Sequence, residues 1–386
     1  MPRTYGIISA DGHLETPPDG WLKHVPSAYH DLAPRLVHLP DGGEAWIVEG
    51  LPPIHNGQNL SAGGPVKVKG ASYWNPDGSP APGTGDGVQR LREQDRDGID
   101  AEVLYPPVFI GKLIEALTDR GAYLAMVKAY NDFLAGYCAV APDRLLGVAV
   151  VPSTGIEGAL AEMARCKRLG LRAVSLGMFP NGGGGPRPED DRFWETALAL
   201  DVKIAAHVTF GGRERLNPLL LASATGQFEL ATAIASRTAV GPALVIATLI
   251  AAGVFDRFPT LEIYLAETNA GWMPEAFYVM DDSYRLFREW YGVDLRMLPS
   301  EYAARHFYFG IVRDPVALRM RDLLPADRLM WGSDFPHSVT SFPHSREWLG
   351  RMFDGVPEGL RRRIVLENPC RFFGLDPGRA ITPTPG

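Results

Sequence analysis

An aspartate and a histidine stand two residues apart near the start of the chain, directly after a short apolar run. The stretch ISADGHLETPP covers residues 8–18 and places Asp11 and His13 where a first buried strand would end. Alternate residues of a strand point to the same face, so these two side chains would point the same way and could chelate a cation. Pro17 and Pro18 exclude a helix there, which predicts that the chain leaves the strand as a loop.

Polar residues follow three later apolar runs in the same way. His207 lies in VKIAAHV, Glu267 and Asn269 lie in YLAETNAGW, and Asp334 and His337 lie in MWGSDFPH. If these runs are parallel strands, their carboxyl ends meet at one face, where the acids would repel each other without a cation. Mixed imidazole and carboxylate ligands suit Zn²⁺, Mn²⁺ or iron. The pattern therefore predicts one or two divalent metal ions.

A regular alternation of apolar runs and helical patterns would position these residues. The runs are continuously apolar, as in parallel strands that are covered on both faces. They occupy residues 4–10, 101–106, 145–152, 172–176, 202–208, 261–267, 306–311 and 328–333, and helical patterns lie between them, for example at 122–141, 156–170 and 192–201. We predict a (β/α)8 TIM barrel whose active face carries the polar strand ends. A doubly wound open sheet is the alternative, although no GxGxxG follows the first strand.

One long insertion follows the first predicted strand. Residues 12–87 are rich in Gly, Pro and Asn, and they carry Trp46 and Trp74. A structureless linker has no need of tryptophans, so we predict a small hairpin and a lid that covers the active face. The predicted organisation is a single barrel domain over residues 1–376, including this insertion, followed by a flexible tail over residues 377–386.

Composition narrows the class of protein. The net charge of −7 and the lack of a basic run argue against nucleic-acid binding. The three cysteines are widely spaced and the N-terminus has no apolar signal segment, so we expect a cytoplasmic protein without disulfides. The apolar run 239–255 is predicted to be a buried helix rather than a membrane span. The expected partners are a small-molecule substrate and either further copies of the chain or a related subunit.

The residue pattern resembles the amidohydrolase superfamily, and within it the amidohydrolase-2 branch, over nearly the whole chain. The resemblance runs from SADGHLETP to ENPCRFFGL, and its most specific segments are MWGSDFPHS and FDRFPTLEIYLAE. It implies a metal-dependent TIM barrel that catalyses hydrolysis or nonoxidative decarboxylation of a small carboxylated or aromatic molecule. Matched position by position, it assigns metal binding to Asp11, His13, His207 and Asp334, and proton transfer to Asp334 with Glu267.

Two departures from the family pattern make the predicted ligand set unusually acidic. Most of the superfamily opens with His-x-His, whereas this chain has Asp11 at the first position. The position after strand six, often a histidine, is Glu267, which could act as an acid–base residue or as a further metal ligand. The strand-four lysine that some members carboxylate has no counterpart in RAVSLGMFP.

Glu267 leaves two further interpretations open. Carboxylate-rich ligand sets also occur in non-heme di-iron or Mn/Fe sites, which would make the protein an oxygen-activating hydroxylase on the same fold. A catalytically silent metal-binding subunit of a complex is the third interpretation. The content of metal per chain separates the first two, because only the hydroxylase requires two ions.

Further residues are predicted to surround the site. His337 would hydrogen-bond behind Asp334 and take part in catalysis, and Glu15 would orient His13. Aromatic and polar residues near the strand ends would contact the substrate. This predicted substrate pocket comprises His55, Trp74, Tyr105, Phe109 and Asn269.

Overall fold

The eight predicted apolar runs form eight parallel strands of one sheet. The computed structural model describes residues 3–15, 19–40, 42–48, 53–55, 57, 59–67, 69–107, 114–207, 210 and 240–385, with the backbone alone at 19, 54, 55 and 240. Its strands, β1 to β11 in chain order, are Ile8–His13, Arg35–His38, Glu44–Ile47, Ile54–His55, Ala101–Tyr105, Leu145–Val150, Ala173–Ser175, Lys203–His207, Ile263–Ala266, Phe307–Ile311 and Leu329–Trp331. The barrel sheet has the order β1-β5-β6-β7-β8-β9-β10-β11.

The two outer strands of this order come together and close the barrel. Gly12 in β1 forms a parallel bridge with Phe335, four residues beyond the end of β11. The backbone N–H of Asp334 donates to the carbonyl of Asp11 at 2.8 Å, and that of His13 donates to the carbonyl of Phe335 at 2.7 Å. The predicted (β/α)8 barrel is confirmed. β1 extends to His13, beyond its predicted end at Ala10, because this seam pairs the additional residues.

Helices alternate with the barrel strands, as the sequence predicts. The described α-helices, α1 to α13 in chain order, are Asp19–Leu22, Gly87–Asp97, Arg120–Cys138, Ile156–Arg168, Asp191–Ala199, Val240–Ala251, Val254–Arg257, Met273–Tyr291, Pro299–His306, Pro315–Arg319, Ser345–Met352, Glu358–Arg362 and Asn368–Phe373. Short 3₁₀ segments cover Ser27–Leu32, Pro188–Asp190, Arg321–Leu323 and Ala326–Arg328, and a π-helical turn covers Arg363–Glu367. The cap of α2 is typical: the side chain of Asp86 accepts from the Gln89 N–H, and Gly98 ends the helix with φ of 77°.

Apolar and aromatic side chains fill the inside of the barrel. Val103, Val148 and Met330 are completely buried there, so the barrel is a packed core rather than a pore. The last helix, α13, adds Phe372, whose ring centroid lies 5.4 Å from that of Tyr308 near the start of β10. The polar residues lie beyond this packed core, at the carboxyl ends of the strands, which form the functional end of such a barrel.

The insertion after β1 forms the predicted hairpin, extended to a three-stranded antiparallel sheet of β2, β3 and β4. Trp46 is completely buried, and its indole N–H donates to the hydroxyl of buried Tyr73 at 2.7 Å. The insertion also contacts the segment after β11. The N–H groups of Ala62 and Gly63 donate to the carbonyls of Pro336 and His337 at 2.8 and 3.1 Å. The insertion therefore lies against a predicted site residue, while its role as a lid stays a prediction.

The described part of the apolar run 239–255, residues 240–255, forms α6 and the start of α7. Among the described residues, no helix combines the length and the apolar character that a membrane crossing requires. The predicted flexibility of the tail at 377–386 stays a prediction, and the described part of this tail contacts the barrel. The buried guanidinium of Arg144 donates to Thr384 Oγ1 at 2.9 Å, and the N–H of Thr382 donates to Asp143 Oδ2 at 2.7 Å. The tail supplies acceptors that this buried charge requires.

Candidate metal centre

Three strand ends of the barrel bring the four predicted ligands together. Asp11 and His13 end β1, His207 ends β8, and Asp334 follows β11. Nε2 of His13 lies 3.2 Å from Asp334 Oδ1 and 3.8 Å from Asp11 Oδ1. Nε2 of His207 lies 3.8 Å from the same oxygen of Asp11. One oxygen or nitrogen atom from each of Asp11, His13 and His207 lies within 4.8 Å of the others, which is close enough for one ion.

Asp11 owes its position to an irregularity in β1. The register of β1 against β5 shifts between Ser9 and Gly12, so Asp11 lies within a β-bulge. The hydroxyl of Ser9 donates to the carbonyl of Asp11 at 2.8 Å and holds this bulge from within. Bulges redirect side chains next to functional sites. The simple alternation that we predicted for Asp11 and His13 is therefore locally modified, and both residues still face the site.

Two observations show that these residues fit a metal ion. Both carboxylate oxygens of Asp11 are buried and have no hydrogen-bond donor among the described residues, which is costly for an anion without a cation. Nδ1 of His13 lies 3.1 Å from the carbonyl oxygen of Pro106. A proton on Nδ1 would donate to that carbonyl and leave the lone pair of Nε2 directed at the carboxylates, as metal-binding histidines require.

The pKa shifts within the cluster also indicate that it fits a cation. Burial and the nearby negative charges of Asp334 and Glu267 hold the pKa of Asp11 well above its ordinary value. Burial and the neighbouring His337 lower the pKa of His13, which favours the neutral imidazole. A divalent cation would reverse the first shift and would bind to the neutral form that the second provides. The cluster is therefore electrostatically incomplete without positive charge.

His337 connects two acids on the far side of His13. Its Nδ1 lies 3.0 Å from Asp334 Oδ1, and its Nε2 lies 3.4 Å from Glu15 Oε1. Its ring stacks on that of His13 with centroids 3.9 Å apart. Although burial opposes it, the charge of Asp334 and the hydrogen bonds to Asp334 and Glu15 raise the pKa of His337 well above its ordinary value. Burial likewise opposes a low pKa at Asp334, but His337 and His13 lower it.

The predicted contact partner of Glu15 was wrong. We expected Glu15 to orient His13, whereas it contacts His337. The reason is that Nδ1 of His13 already faces the carbonyl of Pro106. The predicted contact of His337 behind Asp334 is present in the structure.

Glu267 lies beside the cluster in an unusual backbone conformation. Its Oε2 is 3.7 Å from Nε2 of His207. Glu267, Asn269 and Asp334 have φ values of 56°, 52° and 54°, in the left-handed region that costs a non-glycine residue about 1–3 kcal/mol. Such strained residues concentrate at functional sites, because only a well-packed surrounding structure maintains them.

The predicted substrate-pocket residues lie in different parts of the structure. The ring centroid of Tyr105 lies 5.2 Å from that of His207, so this residue borders the cluster. The side-chain oxygen of Asn269 accepts from the Val312 N–H at 3.3 Å and thus supports the neighbouring backbone. Trp74 forms a bridge with Pro80 inside the insertion. Phe109 and the side chain of His55 lie outside the described residues.

Sequence analysis missed a buried ion pair behind the ligands. Nε of Arg90 in α2 donates to Glu102 Oε2 in β5 at 2.7 Å, and both side chains are almost completely buried. The available signal was the acid inside the otherwise apolar run AEVLYP. A charged residue in a strand that is covered on both faces requires a partner.

Comparison with known families agrees with this fold and site. The family model Amidohydro_2, described as amidohydrolase, matches residues 104–375, which is more than half of the chain. The chain belongs to the amidohydrolase family. The family assignment confirms the resemblance that the sequence motifs indicated.

Curated relatives of the chain include decarboxylases. Gamma-resorcylate decarboxylase of Rhizobium sp. (strain MTP-10005) is 27% identical over 316 residues, which cover 74% of this chain and 86% of that protein. 2-Amino-3-carboxymuconate-6-semialdehyde decarboxylase of Dictyostelium discoideum is 25% identical over 302 residues, which cover 76% of this chain and 77% of that protein. The predicted class is confirmed: this amidohydrolase is a metal-dependent enzyme for hydrolysis or nonoxidative decarboxylation of a small molecule.

Solved structures share the architecture. An amidohydrolase of Mycobacterium avium subsp. paratuberculosis K-10 aligns with a TM-score of 0.72 at 16% identity over 96% of this chain and 99% of that one. A dihydroxybenzoic acid decarboxylase of Polaromonas sp. JS666, with bound manganese and the inhibitor 2-nitroresorcinol, aligns with a TM-score of 0.56 at 23% identity over 74% and 85%. At these identities the similarity shows a shared fold. The manganese bound in the second of these structures agrees with the ligand cluster described above.

Proposed function

We propose that this amidohydrolase catalyses the nonoxidative decarboxylation of a small hydroxylated aromatic carboxylate. The observation that carries the proposal is the position of Glu267, a carboxyl group beside His207 on the side of the cluster where β9 ends. A decarboxylase needs such a group, because a proton must replace the departing CO₂ on the ring carbon. The names of the two curated decarboxylases support the same reaction class.

Asp11, His13, His207 and Asp334 would hold one divalent ion. Two carboxylates and two imidazoles suit Mn²⁺ first and Zn²⁺ or Fe²⁺ next, since carboxylate-rich sites favour manganese over softer metals. The metal would supply positive charge that holds the carboxylate and the neighbouring hydroxyl oxygen of the substrate. The manganese-bound decarboxylase of Polaromonas sp. JS666 supports this choice of ion.

The residues of the chain would then perform the proton chemistry. Glu267 would deliver a proton to the ring carbon; the electron pair of the breaking bond between ring and carboxylate takes up this proton, and CO₂ leaves. Asp334 would accept a proton from the substrate hydroxyl and return it to the same oxygen of the product, while His337, which lies between Asp334 and Glu15, holds that carboxylate in place. Glu267 returns to the protonated form by exchange with solvent, which its partly exposed side chain permits.

Aromatic side chains would form the walls of the substrate pocket. Tyr105 contacts the ring of His207 and so would border a flat substrate held at the metal. The same proposal assigns substrate contacts to Trp74, to Phe109 and to His55. Asn269 would act mainly through the backbone of Val312, to which its side chain is bonded.

The test is a substrate panel with defined metal. Protein purified without added metal is loaded with Mn²⁺, Zn²⁺ or Fe²⁺ and incubated with 2,6-dihydroxybenzoate, 2-hydroxybenzoate and benzoate, and released CO₂ is measured. We expect CO₂ from the hydroxylated acids, fastest with Mn²⁺, and none from benzoate. Hydrolysis of an aryl lactone or amide without CO₂ release from any benzoate would overturn the proposal in favour of a hydrolase.

We also propose that two copies of the chain pair through the outer face of α8. This face exposes Tyr278, Leu286, Phe287, Trp290 and Tyr291 by 70, 66, 50, 84 and 72%. Aromatic side chains bury roughly 150–250 Å² each, so the face offers on the order of 600 Å². That approaches the ~800 Å² per partner of a standard interface. A monomer would leave this apolar area in water.

The proposed location is the cytoplasm. Cys138, Cys166 and Cys370 are all free and buried, as in proteins of a reducing compartment. Burial raises the pKa of the Cys138 thiol to about 12, which keeps it unreactive.

A further inference from the structure

A fully buried ion pair lies directly behind the candidate ligands. The side chains of Arg90 and Glu102 are 1 and 2% exposed, and no role in contacting substrate follows from such positions. Burying two charges costs more than a well-packed apolar pair would, so a buried pair contributes little stability by itself. The best-attested reason for a protein to retain a buried ion pair is that the pair determines which structural elements contact each other, and in which register.

Arg90 connects β5 to the segment that follows β11 at the seam. Its Nε donates to Glu102 in β5, and its Nη2 donates to the carbonyl of Phe335 at 3.1 Å. The same carbonyl accepts the backbone N–H of His13 at 2.7 Å. The guanidinium carbon also lies 4.5 Å from the ring centroid of Phe335. One planar side chain therefore holds the residue that follows Asp334 in place.

Glu102 contacts the other side of the same seam. Its Oε1 accepts from the hydroxyl of Ser333 at 3.4 Å, and Ser333 directly precedes Asp334. Oε1 also lies so close to Gly12 that a Cβ at this glycine would overlap it. Gly12 stands between Asp11 and His13. The carboxylate of Glu102 thus lies against the backbone that carries three of the four candidate ligands.

We propose that Arg90 and Glu102 are positioning residues that hold the seam between β1 and β11 at the spacing that metal binding requires. The inference rests on the proposed ligand set of Asp11, His13 and Asp334. The planar guanidinium donates its hydrogen bonds in fixed directions, so Arg90 holds Glu102 and the carbonyl of Phe335 in a defined relative position. The pair would keep the carboxylates of Asp11 and Asp334 close together although they repel each other.

The test compares metal affinity with stability. The double variant Arg90→Met/Glu102→Leu removes both charges, and Arg90→Lys keeps the charge but loses the fork of the guanidinium. Mn²⁺ affinity is measured by competition with a chelator, and thermal unfolding is followed on metal-free protein. We expect the double variant to be at least as stable as the original protein and to bind Mn²⁺ about 10–100-fold more weakly. Arg90→Lys should also weaken binding, by several-fold.

The outcomes separate the two proposals. Arg165→Lys, at the Arg165–Glu162 pair of α4, is the matched control and should leave Mn²⁺ affinity unchanged. Unchanged affinity in a folded double variant would overturn the positioning role. If the double variant does not fold, unchanged affinity in Arg90→Lys would overturn it instead. If the original protein itself binds no Mn²⁺, Zn²⁺ or Fe²⁺, the proposed function fails.

Discussion

The backbone N–H of Asp334 donates to the carbonyl of Asp11 at 2.8 Å, so the two residues, whose carboxylates are both buried, are neighbours at the barrel seam. Asp11 belongs to the first strand of the barrel and Asp334 follows the last. Their proximity exists only because the barrel closes. Burial raises the pKa of Asp11, and the charge of Asp334, which this bond holds nearby, raises it further.

Replacing Asp11 by Asn should separate metal binding from stability. The variant removes a buried charge that Asp334 and Glu267 repel, so metal-free protein should unfold at a higher temperature than the original. It also removes a ligand, so metal affinity should fall by more than the ~10–100-fold that residues behind the ligands cost. Calorimetry and metal analysis check the two effects. Asp282→Asn, an exposed acid of α8, is the control and should change neither.

Glu267→Gln distinguishes the decarboxylase from a two-metal hydroxylase. With one metal, the amide keeps the shape of the carboxyl group but cannot exchange a proton near neutral pH. We then expect full metal content and a kcat lower by about 10²–10⁴-fold. With two metals, Glu267 is a ligand, and the variant should lose one ion. Metal content per chain and oxygen consumption with iron are measured together; two ions falling to one, with oxygen uptake, would favour the hydroxylase.

The insertion is expected to matter more for turnover than for folding. Deleting residues 50–80 would also remove Tyr73, which is buried against Trp46, so a shorter deletion is the better test. Residues 65–67, 69 and 70 of the insertion are exposed, so replacing the tip at 64–70 by two glycines should leave thermal unfolding nearly unchanged. We expect a fall in kcat/KM, since a lid excludes water from the site. Normal turnover would show that this tip does not cover the substrate.

The C-terminal tail should stabilise the barrel in a pH-dependent way. Deleting residues 380–386 leaves Arg144 Nη1 without Thr384 and should cost about 1–3 kcal/mol in urea unfolding. Burial opposes it, but hydrogen bonds from Thr384, Arg3 and Arg144 lower the pKa of Asp95. A carboxyl group with a lowered folded-state pKa stabilises the protein above its unfolded pKa and loses this effect as the pH falls through the folded value.

The cost of the deletion should therefore shrink as the pH falls below ~4, the unfolded pKa of an aspartate. Thr384→Val keeps the tail but removes its hydroxyl, and it should reproduce part of the loss. An equal loss at pH 7 and at pH 3 would show that Asp95 does not mediate the contact.

Trp290→Ser should weaken self-association. Among the described residues, Trp290 is the most exposed large apolar side chain, so its replacement removes the largest single area from the proposed contact. We expect sedimentation at micromolar concentration to show a shift from dimer to monomer, with thermal unfolding of the monomer unaffected. Leu198→Ser, at an exposed leucine of α5, is the control and should leave the dimer intact. Identical masses for all three proteins would contradict pairing through α8.

The order of the barrel strands and the clustering of the candidate ligand residues were predictable from the sequence. Continuous apolar runs mark strands that are covered on both faces, and a polar residue at the end of such a run marks the functional end of a barrel. Asp11, His13, His207 and Asp334 follow these rules, and the structure brings them together. Local patterns sufficed because each of these residues is placed by its own strand.

Only the tertiary structure decided which residues contact each other across distant segments. Glu15 pairs with His337 rather than His13, and Arg90 reaches Phe335, because these contacts form only when β1 and β11 meet at the seam. The tail is bonded to Arg144 because that guanidinium is buried and needs acceptors. Composition predicts a flexible tail over residues 377–386, and it gives no sign that Thr384 contacts a buried charge elsewhere in the chain. Hydrogen bonds between segments far apart in the chain have no periodicity, so no local pattern predicts them.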